Sequence, residues 1–206
     1  MSIRFVDELD VGFGWIEVAR LRRCSHALAA GGRVWLLDPI AATGADGDPI
    51  EERVRALGEP AGVLQLLDRH TRESEGWARR LGVPLHVVPT HVDGAPFVFL
   101  PVVRRRFWRE TALWWPEQRV LVTADALGTI RHYFRVADER LGVHPLLRLT
   151  PPRSLRGLEP RHVLVGHGKG VHGDDTPDAL ETALSGARRR IPSLLRELPI
   201  LLRSRR

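Results

Sequence analysis

A chain of 206 residues with net charge +6 and 43% hydrophobic residues is long enough for one large α/β domain and too short for two full ones. Its apolar runs, such as VWLL at 34–37, are too short to span a bilayer, and a single cysteine, Cys24, excludes an internal disulfide. The N-terminus MSIRFVDELD carries no apolar signal core, so the expected setting is the reducing cytoplasm, with no membrane association.

The first segment reads as antiparallel strands: IRFVDEL at 3–9, GWIEVARL at 14–21 and CSHALAAGGRVWLLDP at 24–39, where Gly31-Gly32 supplies a hairpin turn. Gly12-Phe13-Gly14 reads as a β-bulge. Asp38-Pro39 ends the last of these strands, and AATGADGD at 41–48 reads as a mobile connection. Pro49 then opens a helix that stops at Gly58. A buried strand follows over 61–68, a helix over 72–82 that packs Trp77 and Leu81, and a strand over 84–89.

In the second half, 97–103, 111–115, 119–128 and 162–168 read as strands. Asp175 or Thr176 caps a helix over 177–190, and the tail 193–206 is helical with an interruption at Pro199. Two basic clusters, RRRFWRE at 104–110 and the run from 187 to 206, could meet phosphates. No nucleic-acid module surrounds them, so they read as exposed arginines and nucleic acid is not the expected partner.

The residues able to do chemistry collect where apolar strands end: Asp68 and His70 in LLDRHTRES, Asp125 in VLVTADALGT, and His167 in VLVGHGKGVHGDD. Taken alone, His70 is a helix-start histidine, Asp68 a cap, and Glu73 a first-turn acid favoured by the helix dipole. Asp125 follows directly on an apolar run and belongs to a loop or a site rather than a core. His167 lies among Gly166, Gly168 and Gly170, where backbone can approach a ligand closely. His172 with Asp174 and Asp175 reads as a solvated turn, and Cys24 as a buried, inert thiol.

In order and spacing these stretches, with the turn LLDP at 36–39, resemble the metallo-β-lactamase-fold superfamily over nearly the whole chain. The resemblance implies an α/β fold, a four-layer αββα sandwich of two mixed β-sheets flanked by helices, as a single domain over 1–206 with its site at one sheet edge. Against the family's T-H-x-H-x-D-H motif, Asp68, His70, Arg72 and Glu73 fall at the four ligand positions, and only His70 matches. RFWRETALWW stands where a second histidine motif is expected and holds no histidine. VLVTAD supplies the bridging carboxylate Asp125, with Ala124 in place of glycine, and VGHGKG supplies His167.

The implied centre is therefore degenerate. In one form Asp68, His70, Asp125 and His167 hold a single divalent ion (Mn, Fe, Mg or Zn) and activate a water. In the other no metal binds, Asp68, Glu73 and Asp125 come together, and the Arg72 guanidinium bridges two of their carboxylates in place of the metal charge. The implied function is a metallo-β-lactamase-fold hydrolase-like protein. The alternative is a catalytically silent binding protein that holds a small anionic ligand or a partner in the same cleft through Arg72, Arg104 to Arg106 and Lys169.

Overall fold

The structure, a computed structural model, describes residues 2–18, 21–41, 48–136 and 138–203, with side chains through residue 197. The expected mobile connection at 41–48 and the end of the tail fall mainly outside these. Strands β1 (Ile3–Leu9), β2 (Gly12–Glu17), β3 (Cys24–Ala30) and β4 (Arg33–Leu37) form an antiparallel meander. Gly31 and Gly32 turn β3 into β4 with φ of 55° and 75°, the paired positive values that a two-residue hairpin requires. Helix α1 (Asp48–Leu57) and strand β5 (Glu59–Gln65), then helix α2 (Ser74–Leu81) and strand β6 (Leu85–Val87), extend this sheet by parallel pairing. The result is a six-stranded mixed sheet in sequence order.

The second sheet has the order β13-β12-β9-β8-β7, built from β7 (Val98–Arg105), β8 (Trp108–Trp115), β9 (Val120–Thr123), β12 (His162–Val165) and β13 (Val171–His172). It too is mixed, since β9 and β12 run parallel and the other pairs antiparallel. RRRFWRE is the tip of the β7–β8 hairpin, with Phe107 exposed at the turn. A small ribbon of β10 (Leu127–Gly128) and β11 (Gly142–Val143) follows β9. Helices α3 (Thr176–Gly186) and α4 (Ile191–Arg203) end the chain, and α4 runs through Pro199, which was expected to interrupt it.

Side-chain alternation assigns the layers. Along β4, Val34 and Leu36 face the helices α1 and α2, in a core with Ile50, Val54 and Trp77. Trp35 and Leu37 face the other way, into a core shared with Leu121, Leu164 and the second sheet. Trp15 and Trp77 each donate their indole N–H to the Ile40 carbonyl at 3.1 Å, fixing the turn that follows β4. At one edge the sheets are stitched together: Thr111 N–H bonds Leu66 O, Asp68 N–H bonds Arg109 O, and Cys24 N–H bonds Gly166 O. That edge gathers the ends of β4, β5, β9 and β12.

Candidate metal centre

At the stitched edge, His70 Nε2 and His167 Nε2 converge on one carboxylate oxygen, Asp125 Oδ1, at 2.9 Å and 3.2 Å. Neither approach has hydrogen-bond geometry, so Asp125 Oδ1 is a buried oxygen without a donor. The neighbours of the imidazoles fix their tautomers. His167 Nδ1 donates to Leu21 O at 2.8 Å, and His70 Nδ1 faces Asp38 Oδ2 at 3.3 Å. With both Nδ1 atoms protonated, both Nε2 lone pairs point into the same space as Asp125 Oδ1. Three such atoms within reach of one another form a site that a proton or a metal ion can occupy.

Electrostatics agree with the geometry. Burial alone would raise the Asp125 carboxyl, but the two imidazoles hold it well below the usual carboxylate range. Burial and the Arg72 charge oppose protonation of His70, yet Asp38 and Asp125 carry it above its ordinary value. A proton or a metal ion can therefore supply the missing charge. Two imidazole nitrogens and one carboxylate oxygen fit a single divalent ion.

Asp68 does not join them. Its Oδ2 accepts from the backbone N–H and the Nε of Arg109, at 3.1 Å and 3.4 Å, which turns the carboxylate toward β8. Glu73 occupies the N-cap position of α2 and makes no side-chain cap bond. Contrary to the metal-free form, Arg72 does not bridge carboxylates among the described residues. It adopts φ of 32° and spends its guanidinium on the carbonyls of Cys24, Asp38 and Gly166, at 2.9 to 3.1 Å, tying together the ends of β3, β4 and β12. Its Nη2 also lies 3.4 Å from His70 Nε2, donating to the same lone pair that a metal would use.

The expected glycine-rich approach to a ligand is taken up by the protein itself. A side chain at Gly166 would strike Ala124 O, and one at Gly168 would strike Thr129 Oγ1. His172 pairs with Asp7, not with the neighbouring acids: Asp174 meets Arg161 and Asp175 meets Arg140.

Two residues at the site escaped the sequence reading. Asp38, part of what read only as a turn, has φ of 44°, accepts Leu66 N–H on Oδ1 and presents Oδ2 to His70. This carboxylate places a negative charge behind the ring without a hydrogen bond to it, while Arg72, donating to Nε2, sets the tautomer. Glu110 is buried and its Oε1 accepts three consecutive backbone N–H groups, those of Ala124, Asp125 and Ala126, while Oε2 accepts Trp108 Nε1. It builds the loop that presents Asp125. Burial and the Asp125 charge push the Glu110 carboxyl up to about 7, against those four donors. The signal was an acid inside the apolar strand sequence WRETALWW, where an unpaired charge is costly.

Solved structures resemble this arrangement of sheets and helices along nearly their whole length. DIM-1 metallo-β-lactamase superposes with a TM-score of 0.59 at 13% identity, covering 91% of this chain and 98% of that one. The chain has the metallo-β-lactamase fold. VMB-1 shares the metallo-β-lactamase fold with a TM-score of 0.57 at 9% identity, covering 99% and 98% of the two chains. The chemotaxis sensor ODP, in a structure of its peroxy diiron species, gives 0.58 at 15% identity, with 90% and 95% covered. No family model and no curated protein matches the sequence. No helix among the described residues is long and apolar enough to cross a membrane.

Proposed function

We propose that the chain is a metallo-β-lactamase-fold hydrolase-like protein with a one-metal centre held by His70, Asp125 and His167. The observation that carries this reading is the convergence of two Nε2 lone pairs on Asp125 Oδ1. Asp68 is not among the converging ligand atoms, so the donor set is imidazole-rich and not the oxygen-rich one that would favour Mg or Mn. Two imidazoles and one carboxylate suit Fe(II) or Zn(II). Such an ion, when bound, lowers the pKa of a coordinated water toward neutrality.

The protein's own groups do the rest. Asp38 and Leu21 O orient the imidazoles, and Glu110 holds the Asp125 loop. Arg69 lies over the Trp108 ring with Nη2 3.9 Å from Asp125 Oδ2, a half-exposed cation at the entrance that suits a small anionic substrate. A lone cysteine, which cannot form an internal disulfide, fits a reducing, cytoplasmic setting.

One observation favours a second reading, the silent anion-binding protein. Arg72 Nη2 already donates to His70 Nε2, so it competes with a metal for that nitrogen. Assaying a panel of carboxylate and phosphate esters with added Zn(II) or Fe(II) separates the two. Metal-dependent turnover that drops at least ~100-fold in Asp125→Asn supports the enzyme. Thermal stabilisation by the same anions with no turnover under any metal supports the binder.

A further inference from the structure

A second cluster lies between the sheets, behind the candidate centre, and uses none of its side chains. Cys24 Sγ, His26 Nε2 and one oxygen of Asp7 face one another, all three side chains buried. From these atoms we infer a separate, structural metal site: Asp7, Cys24 and His26 bind one zinc-like divalent ion between β1, β3 and the loop after β12.

The triangle of donors carries the inference. Asp7 Oδ2 is 3.2 Å from His26 Nε2 and 3.8 Å from Cys24 Sγ, and Cys24 Sγ is 3.6 Å from His26 Nε2. Tetrahedral zinc with ordinary bond lengths puts N and O about 3.3 Å apart, and S about 3.6 Å from either. The cluster thus provides three corners of a tetrahedron of metal-binding size. A nucleophilic triad is excluded, because Cys24 and Asp7 both meet the same ring nitrogen of His26, and a proton relay needs both nitrogens.

Two further features shape the site. The pairing of β1 with β2 slips between Val6 and Leu9, so β1 has two residues, Asp7 and Glu8, opposite Phe13 alone. Asp7 takes φ of 51° there, and the extra residue turns its carboxylate inward, beside Val6, when alternation would send it out. The bulge expected at Gly12-Phe13-Gly14 is in fact on the facing strand. Gly14 is small for a reason: a Cβ there would lie 2.8 Å from His26 Cδ2 and 3.3 Å from Asp7 Oδ2.

The surroundings orient the Asp7 carboxylate, and the fourth corner is left for a water. Gly170 N–H donates to both Asp7 oxygens, and His172 Nε2 stands 3.1 Å from Oδ1, leaving Oδ2 toward Cys24 and His26. Charge also balances. Binding of M2+ expels the Cys24 thiol proton to solvent, and one thiolate, one carboxylate and a neutral imidazole leave the buried unit with no net charge. Through Gly170 and the Cys24 backbone, the ion would brace the loop that carries His167.

Cobalt tests this site separately from the candidate centre, because the chain has one cysteine and the candidate centre has none. The full chain, expressed in Co(II)-supplemented medium, is expected to show a near-ultraviolet thiolate-to-cobalt charge-transfer band. The band should persist in His167→Ala and vanish in Cys24→Ser, with the fold of each variant checked by circular dichroism. As a second readout, titrating Cys24 in the zinc-grown protein with an organic mercurial should release one zinc per thiol to a chromogenic chelator. A folded wild-type protein without the band, or zinc release that ignores the mercurial, overturns the site.

Discussion

Glu110 shows how one residue can organise a site without touching its ligand atoms. Glu110→Ala would leave three backbone N–H groups and the Trp108 indole without an acceptor, and should cost about 3–5 kcal/mol in urea denaturation. Glu110→Gln keeps one acceptor oxygen but sets an amide N–H against Trp108, and should cost about 1–3 kcal/mol. Equal, small losses in both would contradict this role.

His144 offers a pH-dependent counterpart. Its Nδ1 accepts Leu146 N–H and its Nε2 meets Tyr133 Oη, so it is built in as a neutral ring, and burial pushes its pKa down to about 4. Because the folded value lies below the ordinary 6.5, its stabilising contribution is full above pH 6.5 and is lost as pH falls toward 4. The loss amounts to about 3 kcal/mol. His144→Asn, which can still cap the turn, should flatten this acid limb when unfolding is measured at about pH 7.5 and about pH 4.5. An unchanged slope would place the effect elsewhere.

At the scale of elements, strands with clean alternation were legible in the sequence: β1, β3, β4 and β12 start or end close to where their apolar patterns do. So were the strand ends bearing His70, Asp125 and His167. What could not be read was direction. Asp68 sits in the same short motif as His70, but the link between β5 and β8 hands its carboxylate to Arg109, a partner 41 residues away. Asp7 was hidden for a similar reason, since a bulge in IRFVDEL leaves no local mark.

Arg72 belongs to this scale as well, because it joins the ends of three strands. Arg72→Met removes those bonds and should lower stability by about 2–4 kcal/mol, the gain from removing a buried charge offsetting part of the loss. The same change frees His70 Nε2 and removes a neighbouring positive charge, so metal affinity at the candidate centre should rise about 10-fold or more. Calorimetry on the variant reads both quantities. Affinity that falls along with stability would show that Arg72 positions the ligands more than it opposes the ion.

For the molecule as a whole, the two sheets hold the site edge while a buried ion pair holds the segment around Phe134, whose ring stacks on His167. Arg148 and Glu139, both fully buried, pair at 2.8 Å, and Arg148 also donates to Phe134 O and Ala187 O. Arg148→Ala leaves Glu139 with only the Val136 N–H and a 3.7 Å contact to Arg190, and should cost about 3–5 kcal/mol, whereas Arg148→Met with Glu139→Gln should recover much of that. Denaturant midpoints of the single and double variants decide the point.

The central claim is that His70, Asp125 and His167 form a centre for one metal ion. Isothermal titration of the chelator-treated Cys24→Ser protein with Zn(II) and Fe(II) addresses it most directly, because that background silences the second site. One ion per chain should bind, and Asp125→Ala in the same background should abolish the binding. Heat-silent titrations of a folded protein, or a site that survives Asp125→Ala, would contradict the account.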